Sequence, residues 1–432
     1  MRLVHLSDVH IGVENYGRPA TEADLELLPD HFDSDGNPQQ YLGVSTRTLD
    51  FLSTLDYVVD YAINNEIDAV LFAGDAYKNR DPSQTHQREF AKRIAKLSRK
   101  SIPTFLTVGN HDLPRVANRA TALEIFPTLN VSNVLVGSNL ETYKLATRSG
   151  ELQVVSLPWI RLGQVMAQEE TREMTLREIT NRVEERLSEG IQREIETLDP
   201  SLPAVLCGHV TASSAQLSSE RSMMLGTDHI LTLSTLANPA FDYVALGHVH
   251  RHQILTQNPM TVYSGSLQRI DFSEEKEDKG FCVIELDTNA ARGNRTKSFE
   301  FIKVDARIFT TITVSIHENE DPVHATLHAL EKRSSEIMNS VVRVQIEMPE
   351  EMESAFQESR IRQALVTAHH VAGIEKRVIR SRRTRLDSQD STALSPIQAL
   401  RQYAIARKMS PEREQRLVEQ AEHLIQEELE GN

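Results

Sequence analysis

Five short segments hold the residues most able to do chemistry: Asp8-Val9-His10, Gly74-Asp75, Gly109-Asn110-His111-Asp112, Gly208-His209 and Gly247-His248-Val249-His250. Side chains at i and i+2 of an extended strand share a face, so Asp8 with His10, and His248 with His250, can reach one ion each. Carboxylate oxygen combined with imidazole nitrogen suits Mn, Fe or Zn better than Ca or Mg. Asp75 stands alone between two small residues, Gly74 and Ala76, the natural place for a bridging carboxylate. Asn110 adds a neutral carbonyl oxygen. Together these residues form a ligand set for two divalent metals, an arrangement suited to cleaving phosphate esters. Singly, each segment reads as an ordinary turn; their joint occurrence, each behind an apolar run, carries the assignment.

Strands must deliver these segments. Arg2–Ser7, Ala69–Phe72, Thr104–Val108, Pro203–Cys207 and Phe241–Leu246 are apolar runs of strand length. Thr48–Asn64 and Gln84–Lys100 have helical spacing between them. The alternation predicts an α/β core, with ligands at the carboxyl ends of strands, where open α/β sheets place their sites. Thr261–Ser264 and Phe281–Leu286 read as further strands. Thr288–Thr296 reads as a hairpin turn before Ser298–Val304. Gly163–Leu198 is highly charged, with Leu176, Ile179, Val183, Leu187, Ile191 and Ile195 at helical spacing. It is expected to be a surface helix with one buried stripe, the alternative being a dimerisation helix.

After Asp305 the rhythm changes to β-α-β-α-β, over Thr310–Ile316, Pro322–Arg333, Val341–Glu347, Glu358–His369 and Ile374–Arg380. This predicts an α/β core over 1–305, a small α+β domain over 306–386, a Ser/Asp/Thr-rich linker over 387–394 and a helical tail over 395–432. Ser395-Pro396 and Ser410-Pro411 each supply an N-cap followed by Pro at the first helical position. The second tail helix carries Leu417, Ala421, Leu424 and Ile425 on one face, and so needs its own body or a partner to cover them.

The 432 residues include two cysteines, Cys207 and Cys282, in no CxxC pair. No disulfide framework or thiolate zinc site is expected, and a reducing, cytoplasmic setting fits. No apolar run has the length of a membrane span, and the N-terminus lacks the basic and apolar regions of a signal peptide. The formal net charge of −15 opposes nucleic-acid binding unless a bound metal or a local basic stripe overrides it. One such stripe exists: Lys376, Arg377, Arg380, Arg382, Arg383 and Arg385. It reads either as a phosphate-tracking surface or as a charged, aggregation-resistant strand edge.

In order and type, the five segments resemble the calcineurin-like metallophosphoesterase superfamily over about the first 285 residues. Within it, His5–Gly12, Phe241–His250 and Tyr263-Ser264-Gly265-Ser266 resemble the nuclease components of bacterial SbcC–SbcD-type complexes. The resemblance implies a four-layer β-sandwich flanked by helices, with the small α+β region as a DNA-facing cap. It implies one metal on Asp8, His10, Asp75 and His250 and a second on Asp75, Asn110, His209 and His248. Mn2+ is the expected metal, with Fe or Zn also compatible. It implies that His111 faces the scissile phosphate, with Asp112 orienting its ring. It further implies a DNA exonuclease and endonuclease acting in repair and recombination. The expected partner is an SbcC-type ABC ATPase with a long coiled coil, bound through the tail, in a heterotetramer containing a homodimer of this chain. The alternative is a small-molecule phosphodiesterase or phosphatase on the same core. Two features depart from the pattern: the long acidic spacer around Glu14–Tyr41, read as an insertion, and Lys78, where many relatives place an acidic residue or His. Lys78, Arg80 and Arg115 read either as phosphate contacts or as solvated charges.

Overall fold

The computed structural model describes residues 1–33, 36–114, 116, 119–161, 174–219, 230–379, 395–407 and 409–430. The chain divides into two compact units: Met1–Thr313 with Leu327–Gln345 and Glu358–Glu375, and Val314–Thr326 with Ile346–Gln357 and Lys376–Asn432.

The first unit is built on strands β1 Arg2–Leu6, β2 Ala69–Phe72, β3 Thr104–Thr107, β4 Val134–Gly137, β5 Thr142–Thr147, β6 Gly150–Leu157, β7 Ala204–His209, β8 Thr211–Ala212, β9 Ile230–Leu231, β10 Tyr243–Gly247, β11 Gln253–Gln257, β12 Met260–Tyr263, β13 Gly280–Leu286 and β14 Thr296–Lys303. Twelve of them form two six-stranded sheets, ordered β14-β13-β1-β2-β3-β4 and β11-β12-β10-β7-β6-β5. In the first sheet β1 to β4 are parallel, and β13 and β14 add an antiparallel edge. In the second, β6, β7, β10 and β12 are parallel, between antiparallel edge strands β5 and β11.

Residue parity shows how the layers stack. Along β1 and β2, Leu3, Ala69 and Leu71 point into one apolar cluster, while Val4, Leu6, Val70 and Phe72 point into another. The first cluster also takes Val154, Val205, Cys207, Tyr243, Ala245 and Val262 from the second sheet, so it lies between the sheets. The second is covered by Leu49, Leu52, Leu55 and Val59 of the helix Thr46–Asn64 and by Phe90, Ile94 and Leu97 of the helix Gln84–Arg99. On the far side, Val155, Leu157, Leu206, Val244 and Leu246 meet Ile179, Val183, Leu187 and Ile191 of the helix Leu176–Thr197. Period 2 in the strands and period 3.6 in the helices thus resolve into helix, sheet, sheet, helix, the expected four-layer α/β sandwich. The stripe of Leu176–Thr197 is used up against the second sheet, which fits the surface-helix reading; residues 163–173 of that stretch lie outside the described residues.

The acidic spacer folds back on the helical layer. It forms a short helix, Glu22–Glu26, and a 3-10 turn, Pro38–Tyr41, and inserts Leu25, Phe32 and Tyr41 into the core. The Tyr41 hydroxyl donates towards Asp33 (2.7 Å) and Glu89 (2.6 Å). Arg93, almost wholly buried, pairs with Glu89 (2.8 Å) and Asp56 (2.6 Å). Removing one partner of such a buried pair costs about 3–5 kcal/mol; the pair with Asp56 joins the helices Thr46–Asn64 and Gln84–Arg99, and the spacer reaches the second helix through Tyr41 and through Asp33, 3.4 Å from Lys92 Nζ.

Beyond Asp305 the expected β-α-β-α-β order is present as β15 Phe309–Ser315, helix Pro322–Lys332, β16 Val341–Pro349, helix Glu358–Ala364 and β17 His370–Ile379. Leu327–Gln345 and Glu358–Glu375 of this segment group with the first unit. In the second unit the helices Pro396–Ala406 and Pro411–Glu430 pack on one another. Ser395 caps the first of them by accepting the Gln398 N–H, and Pro396 follows in the first turn. The linker 387–394 and the side chains of Leu424 and Ile425 lie outside the described residues. Among the described residues no helix is long and apolar enough to cross a membrane.

Candidate metal centre

All five segments sit where β1, β2, β3, β7 and β10 end, and the parallel arrangement brings those ends to one edge of the sandwich. The chain turns there by an uncommon route. Asp8, His10, Asp75 and His248 have φ of 53°, 47°, 61° and 94°, the left-handed region that residues with a Cβ seldom adopt and that clusters at functional sites. Neighbouring turns hold one another: Asp8 N–H donates to Gly74 O (3.0 Å) and His10 N–H to Asp75 O (3.1 Å). The glycine of the third segment is needed for closeness, since a Cβ on Gly109 would lie 2.2 Å from Asp75 Oδ1.

The seven predicted ligands converge. Asp8, His10 and His250 place ligand atoms within 4.8 Å of one another, and so do Asp8, Asp75 and His209. His10 Nε2 is 3.0 Å from His250 Nε2 and 3.7 Å from Asp75 Oδ2. On the other side of Asp75, the same Oδ2 is 3.4 Å from His209 Nε2. Asn110 Oδ1 lies 2.9 Å from His209 Nε2 and 3.3 Å from His248 Nδ1. Asp75 therefore stands between two groups of donors, the position expected of a bridging ligand. Asp8 lies within reach of both groups and also accepts the His248 N–H (3.1 Å to each oxygen), joining the first sheet's edge to the second's.

The donor chemistry fits cations. His250 Nδ1 faces the Glu274 carboxylate at 2.9 Å, which calls for a proton on Nδ1 and leaves a lone pair on Nε2. That lone pair faces His10 Nε2, and burial keeps the His10 imidazole far below its ordinary pKa and so neutral. Two nitrogens and two buried carboxylates then converge with little to offset their electron density. At the other group burial opposes protonation of His209, yet Asp75 lifts its pKa to about 9. The pocket draws positive charge, which divalent ions supply. These buried Asp and His groups suit a dinuclear metal site.

His111 stands at the rim, its ring edge-on to His10 with centroids 5.0 Å apart. One expectation is corrected. Asp112 does not orient the His111 ring; its carboxylate accepts the backbone N–H groups of Gly109 (3.0 Å), Asp75 (2.9 Å) and Ala76 (3.0 Å). Fully buried, it closes two ligand turns against each other. Burial, then the charge of Asp75, push its carboxyl up to about 7, against the pull of those amides. The ring is held instead by the Lys78 carbonyl, 2.7 Å from His111 Nδ1.

Other supporting residues were not foreseen. Glu274, fully buried, receives Lys279 Nζ (2.7 Å), the Ile270 N–H (3.1 Å) and the Ser219 hydroxyl. Burial alone would raise its pKa, but Lys279 and His250 hold it well below the carboxylate range. Ser219 also lies 2.8 Å from His250 Nδ1. Ser7 donates to Asp8 and meets Ser264 at 2.8 Å. Trp159 lies against His248, ring centroids 4.9 Å apart. The only local signal for Glu274 and Lys279 is their place in a charged run that reads as solvated surface. Of the basic stripe, Arg377 pairs with Glu347 (2.8 Å) and Lys376 lies over the Phe356 ring. Arg380, Arg382, Arg383, Arg385 and Arg115 lie outside the described residues.

Comparison with known proteins agrees with this geometry. The model of the calcineurin-like phosphoesterase family matches residues 1–252, and the chain belongs to that family. Among curated proteins it is similar to SbcD, the nuclease component of SbcCD, from Staphylococcus epidermidis, at 24% identity over 67% of this chain and 67% of that protein. The SbcD of Rhodobacter capsulatus is 26% identical, over 67% of this chain and 68% of its own length. That of Escherichia coli K12 is 24% identical, over 63% and 62%.

Proposed function

We propose that this protein is the nuclease component of an SbcCD-type complex, hydrolysing phosphodiesters at DNA ends as a 3′-5′ double-strand exonuclease and a single-strand and hairpin endonuclease. The observation that carries the reading is Asp75 Oδ2 placed between His10 and His209 Nε2 atoms, at 3.7 and 3.4 Å. Asp8, His10, Asp75 and His250 would hold one divalent ion and Asp75, Asn110, His209 and His248 the other, with Mn2+ best suited among Mn, Fe and Zn. Ions bound there polarise phosphate oxygens and make a water nucleophilic at neutral pH. His111, with Nδ1 fixed on the Lys78 carbonyl, presents Nε2 to the substrate. An anionic phosphodiester beside it favours the imidazolium, whose Nε2–H stabilises charge on the phosphoryl oxygens or protonates the departing 3′ oxygen. Asp112 keeps the His111 turn in register with Asp75.

DNA is favoured as substrate by the similarity to the SbcCD nucleases, which extends past the metal ligands. The basic residues of 376–385 would track the phosphate backbone. The tail helices, where Tyr403 and Ile405 are exposed, would dock an SbcC-type ABC ATPase, within a cytoplasmic heterotetramer that contains a homodimer of this chain; deleting 395–432 should abolish its co-purification. The central test is cleavage of linear DNA with Mn2+ by wild type and His111→Ala. The variant is expected to keep its bound metal and lose most of its nuclease activity. Equal activity in the two proteins would refute the role of His111. Cleavage of bis-p-nitrophenyl phosphate without any cleavage of DNA would refute the nuclease reading.

A further inference from the structure

Two stretches of chain behind the ligands meet the same group of side chains. The first follows His10. Two turns lead away from it, closed by Val13 N–H to His10 O (3.2 Å) and Gly17 N–H to Glu14 O (3.0 Å). They carry Tyr16, whose φ of 67° lies in the left-handed region. The second stretch is the 3-10 turn Phe272–Glu274, from which Glu274 faces His250. The rings of Tyr16 and Phe272 meet edge to face, centroids 5.7 Å apart. Phe309 closes the triangle, 5.5 Å from Tyr16 and 5.1 Å from Phe272. His370 lies edge-on to Tyr16 at 5.9 Å, and Arg343 Cζ lies over the Phe272 ring at 4.3 Å. Phe309, Arg343 and His370 come one each from β15, β16 and β17, at the ends that group with the first unit.

Hydrogen bonds fasten the same turn. Glu275, the residue after it, accepts the Thr311 N–H (2.7 Å) and the Thr311 hydroxyl (2.6 Å). Arg343 Nη2 donates to that hydroxyl (3.0 Å), so β15 and β16 grip the turn together. At about three residues per turn, positions 272 and 275 share a face and 274 takes another. Phe272 and Glu275 accordingly meet the strand ends, while Glu274 meets His250 and Lys279. A left-handed backbone at a residue with a Cβ persists where its surroundings over-determine it. At Tyr16 those surroundings are three rings, two of them from the strand ends. Groups behind a metal-binding imidazole fix its direction and its basicity. Here one cluster touches the chain behind both His10 and His250, the two imidazoles assigned to the same ion.

We propose that Tyr16, Phe272 and Glu275 are positioning residues through which the ends of β15, β16 and β17 set the affinity of the ion on Asp8, His10, Asp75 and His250. The inference rests on the two-ion reading of the centre and adds a control on one of its halves from outside the ligand set.

The metal-free full-length protein is titrated with Mn2+ in a calorimeter, where wild type should take up two ions in two steps. Asn110→Ala, on the other half, marks the step that belongs to that half. Tyr16→Ala, Phe272→Ala and Glu275→Ala should each weaken the unmarked step about threefold to tenfold and leave the marked step within about twofold. Tyr16→Phe, which keeps the ring, and Glu275→Gln, which keeps an acceptor for Thr311, should restore most of the affinity. Should the two ring truncations not fold, the Glu275 variants decide alone. A loss confined to the marked step overturns the proposal. So does an equal loss at both steps, since the residues would then only prop up the fold. If wild type takes up two ions and the variants match it, the two-ion reading stands and the proposal falls. A wild type that takes up fewer than two ions overturns that reading, and the proposal with it.

Discussion

Behind the His10–His250 half of the centre lies a buried charge relay: His250 Nδ1 to Glu274, and Glu274 to Lys279. The Asn110–His209–His248 half is backed differently at His209. His209 Nδ1 rests on a backbone carbonyl, Ala73 O, at 2.8 Å, His248 lies against a half-buried indole, and Asn110 is partly exposed. His250 and His209 thus have unequal support. A carboxylate behind an imidazole raises its basicity and fixes its tautomer, so the first half should bind its ion tightly. The second, nearer the surface, should exchange its ion and meet the substrate. Chelator titration followed by metal analysis should therefore show two steps; loss of both ions together would contradict the comparison.

The largest effect is expected where the halves meet. Asp75→Ala removes the oxygen between His10 and His209, and both ions and all phosphoesterase activity should be lost; two ions retained on metal analysis would exclude the bridging role. Next comes Glu274→Gln, which keeps the shape of the relay but removes its charge. It should weaken the tighter ion by about 10–100-fold and bring the two chelator steps together, leaving the weaker step in place. If the weaker step moved instead, the assignment of support to halves would be reversed. The smallest change is Ser219→Ala, which deletes one hydrogen bond to the relay. Roughly a two- to tenfold loss of affinity, confined to the tighter step, is expected, and isothermal titration with Mn2+ would measure it.

The candidate ligands were legible as a group because each lies directly behind an apolar strand, so local order stands in for position in space. The helices Thr46–Asn64 and Gln84–Arg99 were legible for a similar reason: their apolar spacing is carried by residues close in the chain. The relay was not, because Glu274 meets His250 only after β11, β12 and the turn at Ile270 have folded. A buried Glu beside a buried Lys looks in sequence like any surface pair. Strands β4, β5, β6 and β11 escaped notice as well. β5 and β11 lie at sheet edges, and half-exposed patterns such as Thr142–Thr147 give weak alternation. The resemblance gave Asp112 a ring-orienting role, whereas the turn aims its oxygens at backbone amides of another strand's exit. The acidic spacer gave no hint of Lys92, which meets its Asp33 from a helix lying beyond the spacer in sequence.

Four of the seven candidate ligand positions hold the backbone in the left-handed region, and this bears on how such a centre can be moved or copied. A side chain is aimed by the turn that carries it, and here the turns are of a kind that L residues resist. Grafting the Asp, Asn and His side chains onto another pair of sheets would reproduce the donors without their directions. The heritable unit is the set of strand exits, and side chains can change on it more freely than it can change beneath them.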